Sequence, residues 1–104
     1  ETHHNYVDGA WISADTGETF SVRNPADPSD AVGRFQRSGA SDAEKAVEAA
    51  AAASENWAGM PGPERGRVLR AAGQRLDDRK GELTETRVRE EGKARPEAAR
   101  AAPR

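Results

Sequence analysis

Residues 41–57 read Ser41-Asp42-Ala43-Glu44-Lys45-Ala46-Val47-Glu48-Ala49-Ala50-Ala51-Ala52-Ala53-Ser54-Glu55-Asn56-Trp57. Ser41 with Glu44 three residues on has the form of a capping box, each side chain serving the other residue's backbone N–H. From there Ala43, Ala46, Val47, Ala50, Ala51, Ser54 and Trp57 keep the i, i+3, i+4, i+7 repeat of one helical face. The repeat predicts a helix over 41–57 whose apolar face is almost entirely methyl. Such a face suits close approach to a large neighbouring surface better than it fills a core of its own. The stretch also marks where the chain changes period, from a strand region over 1–40 to a helical region over 41–92.

Upstream, the pattern is that of short strands and turns. Asn5-Tyr6-Val7 and Ala10-Trp11-Ile12 flank Asp8-Gly9, and Asp-Gly between apolar runs signals a two-residue hairpin turn with positive φ at both positions. Asp15-Thr16-Gly17 gives a second turn. Thr19-Phe20-Ser21-Val22-Arg23 alternates apolar and polar residues, as a half-buried strand does. The two prolines of Asn24-Pro25-Ala26-Asp27-Pro28-Ser29-Asp30 predict a loop, and Ala31–Arg37 a further strand.

Downstream, Gly59-Met60-Pro61-Gly62-Pro63 breaks the helix, and Pro63 suits the first turn of the next. That second helix is expected over about 63–79, with Val68, Leu69, Ala72 and Leu76 on one side and five arginines around the rest. Gly81 punctuates. A third helix is expected over about 82–91, with Gly92 as its C-cap. Its large apolar residues, Leu83 and Val88, are five apart and do not share a face. Residues 93–104 contain no large apolar residue, and a disordered tail is expected there. Its Ala/Arg/Pro composition fits a shifted or shortened reading frame.

The composition limits what this chain does alone. Of its 104 residues, 20 are Ala and 10 are Gly; Leu, Ile, Val and Phe together number 12. That fraction lies below the ~20% at which a self-sufficient core becomes doubtful, which argues against an independent globular enzyme. There is no apolar run of the ~18 residues needed to span a membrane, and the N-terminus has no basic-then-apolar signal pattern. With no Cys there is no disulfide, thiolate metal site or thiol nucleophile within these residues; a reducing cytoplasm is the simplest compartment. The net charge of −2 is divided between −6 over residues 1–60 (ten acids, four bases) and +4 over 61–104 (eight acids, twelve bases). The arginines of the second half alternate with Asp and Glu. This reads as a solvated helical surface, and no nucleic-acid partner is expected.

Residues with catalytic potential do not converge. His3 and His4 are adjacent and cannot face one metal together with a third ligand. Glu90-Glu91 and Asp77-Asp78 are helix neighbours, whose side chains diverge by ~100°. There is no G-x-G-x-x-G; Gly59-Met60-Pro61-Gly62 has the wrong spacing and does not follow a strand. Trp11, Phe20, Phe35 and Trp57 read as core aromatics. Sequence alone therefore assigns no catalytic, cofactor-binding or metal residue.

Several local strings, in order, resemble the NAD(P)-dependent aldehyde dehydrogenase family. Asn5-Tyr6-Val7-Asp8-Gly9-Ala10-Trp11 looks like that family's opening hairpin. Val22-Arg23-Asn24-Pro25-Ala26-Asp27 is similar to its N-P-A loop, and Val32-Gly33-Arg34 to the strand that follows. Ser41–Ala50 resembles its first helix, Pro63-Glu64-Arg65-Gly66-Arg67-Val68-Leu69-Arg70 the start of its second, and Arg89-Glu90-Glu91-Gly92-Lys93 the close of its third. The chain departs from the pattern where Thr86 and Arg87 stand in place of Leu-type residues after Leu83. The resemblance covers the N-terminal fifth of such an enzyme. It implies an α+β fragment, a hairpin and strand region followed by three helices, belonging to a larger α/β fold. It implies oxidation of an aldehyde to a carboxylic acid with NAD or NADP, through a Cys thiohemiacetal and a general-base Glu. None of those groups has a matching position here. The expected reading is a truncated aldehyde dehydrogenase-type oxidoreductase, inactive alone. Its expected partner is the remainder of such an enzyme, or a second copy of itself. The rival reading is a free-standing helical interaction module.

Overall fold

The structure is a computed structural model and describes residues 1–101, without the side chain of Ala101. The chain forms two compact units. The first joins Glu1–Val22 with Gly33–Met60; the second joins Arg23–Val32 with the chain from Pro61 onward.

In the first unit, β1 (Asn5–Val7) and β2 (Ala10–Ile12) pair antiparallel, with Asn5 opposite Ile12, Tyr6 opposite Trp11 and Val7 opposite Ala10. The turn is the expected one. Asp8 and Gly9 have φ of 51° and 77°, and Asp-Gly is the pair that accepts two left-handed positions in succession. The turn at Ala14–Gly17 closes with the Gly17 N–H on the Ala14 carbonyl at 2.9 Å. The N-terminal residues run parallel to residue 34: the His3 N–H donates to the Arg34 carbonyl at 2.8 Å, and the Arg34 N–H to the Glu1 carbonyl at 2.9 Å. The His3 ring stacks on Phe35 with centroids 4.9 Å apart, above Gly33.

β3 (Thr19–Asn24) and β4 (Asp27–Gln36) form a second hairpin closed by only Pro25-Ala26. A two-residue connection permits only antiparallel pairing. The loop expected over 24–30 is thus a tight turn, and β4 begins four residues before the expected strand at Ala31. Two features make this possible. In a two-stranded sheet both strands are edges, where Pro28 needs no donor. The side chains of Asn24 and Asp27 also accept the N–H groups of Ala26 (3.0 Å) and Ser29 (3.1 Å), holding the bend locally.

Helix α1 spans Ala40–Gly59. The expected box of Ser41 with Glu44 does not form. Gly39 is the N-cap, in extended backbone, and Asp42 at the third helical position accepts the Gly39 N–H at 2.9 Å. The start moves upstream because a carboxylate three residues beyond an extended residue can reach back to its N–H. The half-buried positions of α1 are Ala46 and Ala49, while Val47 and Trp57 are exposed.

The second unit contains α2 (Gly62–Asp78), α3 (Lys80–Glu91) and α4 (Arg95–Ala101), besides the hairpin tip. Pro63 lies in the first turn of α2 and Gly92 ends α3 at φ 67°, as the sequence predicts. The break between α2 and α3 falls at Arg79; Gly81 lies inside α3. The tail corrects an expectation: 95–101 is helical, and Ala98 is fully buried beside α3. Pro96 suits a first helical turn, and the Ala98 N–H reaches the Ala94 carbonyl at 3.0 Å. The last expected tail positions, 102–104, lie outside the described residues. Among the described residues no large side chain is fully buried; the buried positions include Ala14, Ala98, Gln36 and Asp42.

Candidate functional site

Two polar clusters come nearest to a site, one in each unit. In the first, Asp42 joins the start of α1 to the turn before β3. Its Oδ1 accepts the Asp15 N–H at 3.0 Å and its Oδ2 the Gly39 N–H. The Asp15 carboxylate in turn accepts Ser41 Oγ and Lys45 Nζ, the latter at 2.7 Å. The Lys45 hydrogen bond, then that of Ser41, holds the Asp15 carboxyl below its ordinary value, and the same pairing raises Lys45. Nearby, Gln36 is buried and clamps two segments: its Oε1 accepts the Ala14 N–H at 2.9 Å and its Nε2 donates to the His3 carbonyl at 3.1 Å.

In the second unit, Arg89 of α3 forks onto Asp30 of β4. Nε reaches Oδ2 at 3.0 Å, Nη2 reaches Oδ1 at 2.6 Å, and Nη2 also donates to the Ala31 carbonyl at 3.2 Å. Asn24 Nδ2 adds a third bond to Asp30 at 3.2 Å. The Arg89 guanidinium, then Asn24, lowers the Asp30 carboxyl to about 2. A carboxylate held there is a poor general base near neutral pH, where a useful base titrates close to the working pH. Both clusters tie backbone segments together through hydrogen bonds to main-chain groups.

The residues weighed from sequence are not brought together. His3 stacks on Phe35. Glu91 pairs with Arg87 at 3.3 Å and Lys93 at 3.4 Å. Asp78 accepts Gln74 Nε2 at 3.0 Å. No group of three His, Cys, Asp or Glu that could hold a metal occurs among the described residues. The described residues also do not fit a dinucleotide: the connection from strand β4 into helix α1, Arg37-Ser38-Gly39, has a single glycine, and the glycines at 59 and 62 lie where one helix gives way to the next. A shallow hollow of about 360 Å³ lies among Leu76, Leu83, Thr86, Glu90 and Ala98. It is mostly apolar and open.

Two short hairpins leading into helices, with ion pairs that tie one segment to another, define an α+β segment. The Aldehyde dehydrogenase family profile matches residues 11–104, and the chain belongs to that family. It is 58% identical over 95 residues to the alpha-ketoglutarate semialdehyde dehydrogenase of Haloferax volcanii, covering 91% of this chain and 20% of that one. To the alpha-ketoglutaric semialdehyde dehydrogenase of Bacillus subtilis it is 39% identical over 97 residues, 93% of this chain and 20% of that one. Among solved structures, a 3,6-anhydro-L-galactose dehydrogenase in complex with NAP superposes with a TM-score of 0.90 at 35% identity, over 95% of this chain and 20% of its own. An NAD-dependent aldehyde dehydrogenase from Sinorhizobium meliloti gives 0.89 at 30% identity, with the same coverage. The chain thus spans about a fifth of the length of the relatives it matches.

Proposed function

We propose that this chain provides the N-terminal scaffold of an NAD(P)-dependent enzyme that oxidises an aldehyde bearing a carboxylate, of the alpha-ketoglutarate semialdehyde class. The observation that carries the reading is the 58% identity to a relative of that name, extending through 95 residues. Three further relatives, the Bacillus subtilis enzyme, a glutarate-semialdehyde dehydrogenase and a malonate-semialdehyde dehydrogenase, support the same substrate class. The bound or named cofactors of the structural relatives support a nicotinamide dinucleotide as the oxidant. The role of the residues present is to shape and support. The 104 residues include no Cys, so a thiol nucleophile has to come from outside them, as does the cradle for the dinucleotide. The rival reading of a free-standing module is less favoured, because the same segment recurs as one fifth of larger chains.

The test is complementation. The purified chain alone is expected to give no aldehyde-dependent reduction of NAD or NADP. Mixed with the separately produced remaining four fifths of the Haloferax volcanii relative, it is expected to restore turnover of alpha-ketoglutarate semialdehyde. Turnover by the chain alone, or no restoration by the mixture, would overturn the reading.

A further inference from the structure

Asp8, in the turn between β1 and β2, is the one residue other than glycine with positive φ among the described residues, at 51°. A residue with a Cβ is disfavoured there, so Asp8 keeps this conformation only while the hairpin holds it. The hairpin holds it weakly. Each of its strands has 3 residues, and an isolated two-stranded hairpin is marginal in water. Its ladder ends at Val7 opposite Ala10, which leaves the Gly9 N–H outside the paired strands.

The Asp8 side chain is as unconstrained as its backbone. Among the described residues its carboxylate accepts no hydrogen bond and joins no ion pair. Asp8 and Gly9 are both exposed, and a Cβ added to Gly9 would meet nothing within 4 Å. A free carboxyl therefore stands beside a backbone nitrogen that no side chain screens. The other aspartates and asparagines differ. Asn24 and Asp27 precede proline, whose nitrogen carries no hydrogen. Asp15, Asp30 and Asp42 are held by hydrogen bonds from Lys45, Arg89 and the Asp15 N–H, and Asn5 donates to Ser38 Oγ at 2.8 Å. Asn56, Asp77 and Asp78 lie in helices, and each precedes a residue with a Cβ.

We propose that Asp8-Gly9 is a site of spontaneous main-chain isomerisation, at which Asp8 becomes isoaspartate and a substrate for an isoaspartyl carboxyl methyltransferase. When the turn opens, the Gly9 nitrogen attacks Cγ of the protonated Asp8 carboxyl. An N–C bond forms, a C–O bond breaks, and the hydroxyl leaves with the amide hydrogen as water. The product is a five-membered imide. Water then adds back. Cleavage of the bond from nitrogen to Cγ restores Asp8, and cleavage of the bond from nitrogen to the main-chain carbonyl leaves isoaspartate. No oxidant or co-reactant is consumed. Isoaspartate places the β-carbon in the main chain, and a two-residue turn with one extra backbone atom no longer sets Tyr6 opposite Trp11, whose rings lie 4.9 Å apart.

The test incubates the full chain in warm neutral buffer, with and without urea. Isoaspartate is measured by methyl transfer from S-adenosylmethionine with an isoaspartyl methyltransferase and located by fragmentation mass spectrometry. It is expected at Asp8 at least tenfold above any other aspartate, and at a rate within tenfold of that in urea. Gly9→Ala should slow it at least tenfold. Because that change also strains the turn, Asp8→Asn supplies a second readout. Asn-Gly suits the same turn, forms the same imide with loss of ammonia, and should give isoaspartate at position 8 at least tenfold faster than Asp8 does. Isoaspartate at Asp8 in urea alone would show that the folded turn protects this bond. Isoaspartate spread evenly over the aspartates would show that the turn selects nothing. Either result, or an Asp8→Asn chain that keeps its new amide as long as it keeps Asn56, overturns the proposal.

Discussion

Asp30 and Arg89 lie 59 residues apart and meet only in the folded chain. The Asp30 carboxyl titrates at about 2 against an ordinary 3.8, because Arg89 and then Asn24 hydrogen-bond to its charged form. A depressed folded value stabilises the fold fully above 3.8, and the contribution disappears as pH falls through about 2. Both side chains are about a third exposed, so the pair orients α3 against β4 more than it stabilises them. Carboxyl NMR titration should place Asp30 near 2, and Arg89→Gln should move the midpoint up toward 3.8; an unmoved midpoint would show that the pair does not form. Gly33 offers a second test. A Cβ there would come within 2.9 Å of the His3 ring, so Gly33→Ala should displace that ring from Phe35 and cost ~0.5–1.5 kcal/mol. In a His3→Ala background the same change should cost almost nothing, which denaturant melts of the four proteins would establish. Neither contact has a signature in sequence. Val32-Gly33-Arg34 reads simply as a strand, since what glycine makes room for comes from the opposite end of the hairpin region. The candidate clusters share that origin: Asp15 with Asp42 and Asp30 with Arg89 are juxtaposed by topology, and no local spacing announces them.

Elements ended by local chemistry were legible. Asp8-Gly9 predicts its hairpin, Pro63 the start of α2 and Gly92 the end of α3, because each residue's own backbone preference fixes the boundary. Where the boundary depends on reach, the reading slips. Helix α1 starts at Gly39 because the Asp42 carboxylate returns to its N–H, although Ser41 and Glu44 offer an equally plausible box. Asp42→Ala should therefore uncap α1 and also free the Asp15 N–H, lowering stability by ~0.5–2 kcal/mol, the range for loss of a helix cap. Ser41→Ala should cost less, because the Ser41 hydroxyl donates to the exposed Asp15 carboxylate and not to a backbone group of the helix start, and equal losses in thermal melts would contradict this account of the cap. Helix α4 was missed for a different reason. It docks through the fully buried methyl of Ala98, with Ala99 half-buried beside it, and an exposed Arg95–Glu85 pair at 2.6 Å, and two adjacent methyls leave no periodic pattern to read. Ala98→Arg should release it, seen as amide exchange over 95–101 rising to the rate of an unstructured peptide while α3 stays protected.

The two units together leave a large share of the apolar inventory in water. Trp11 is 71% exposed, Val47 68% and Tyr6 62%, with Trp57, Val68 and Leu69 also open to solvent, and the described residues include no fully buried large side chain. Yet the backbone is that of segments folded within enzymes five times longer. Local signals such as the Asp-Gly turn, the Pro63 start and the Gly92 cap can shape elements without a core, but they cannot supply the ~25 cal/mol per Å² that burial contributes. Exposed apolar surface on this scale promotes association. The purified chain should therefore bind an apolar dye and sediment as a concentration-dependent mixture of species. Adding the remaining four fifths of the Haloferax volcanii relative should suppress both effects together, because one set of surfaces underlies them. A compact monomer without dye binding and with well-dispersed side-chain spectra would show that these 104 residues satisfy their own surface, and would shift the balance to the free-standing interaction module.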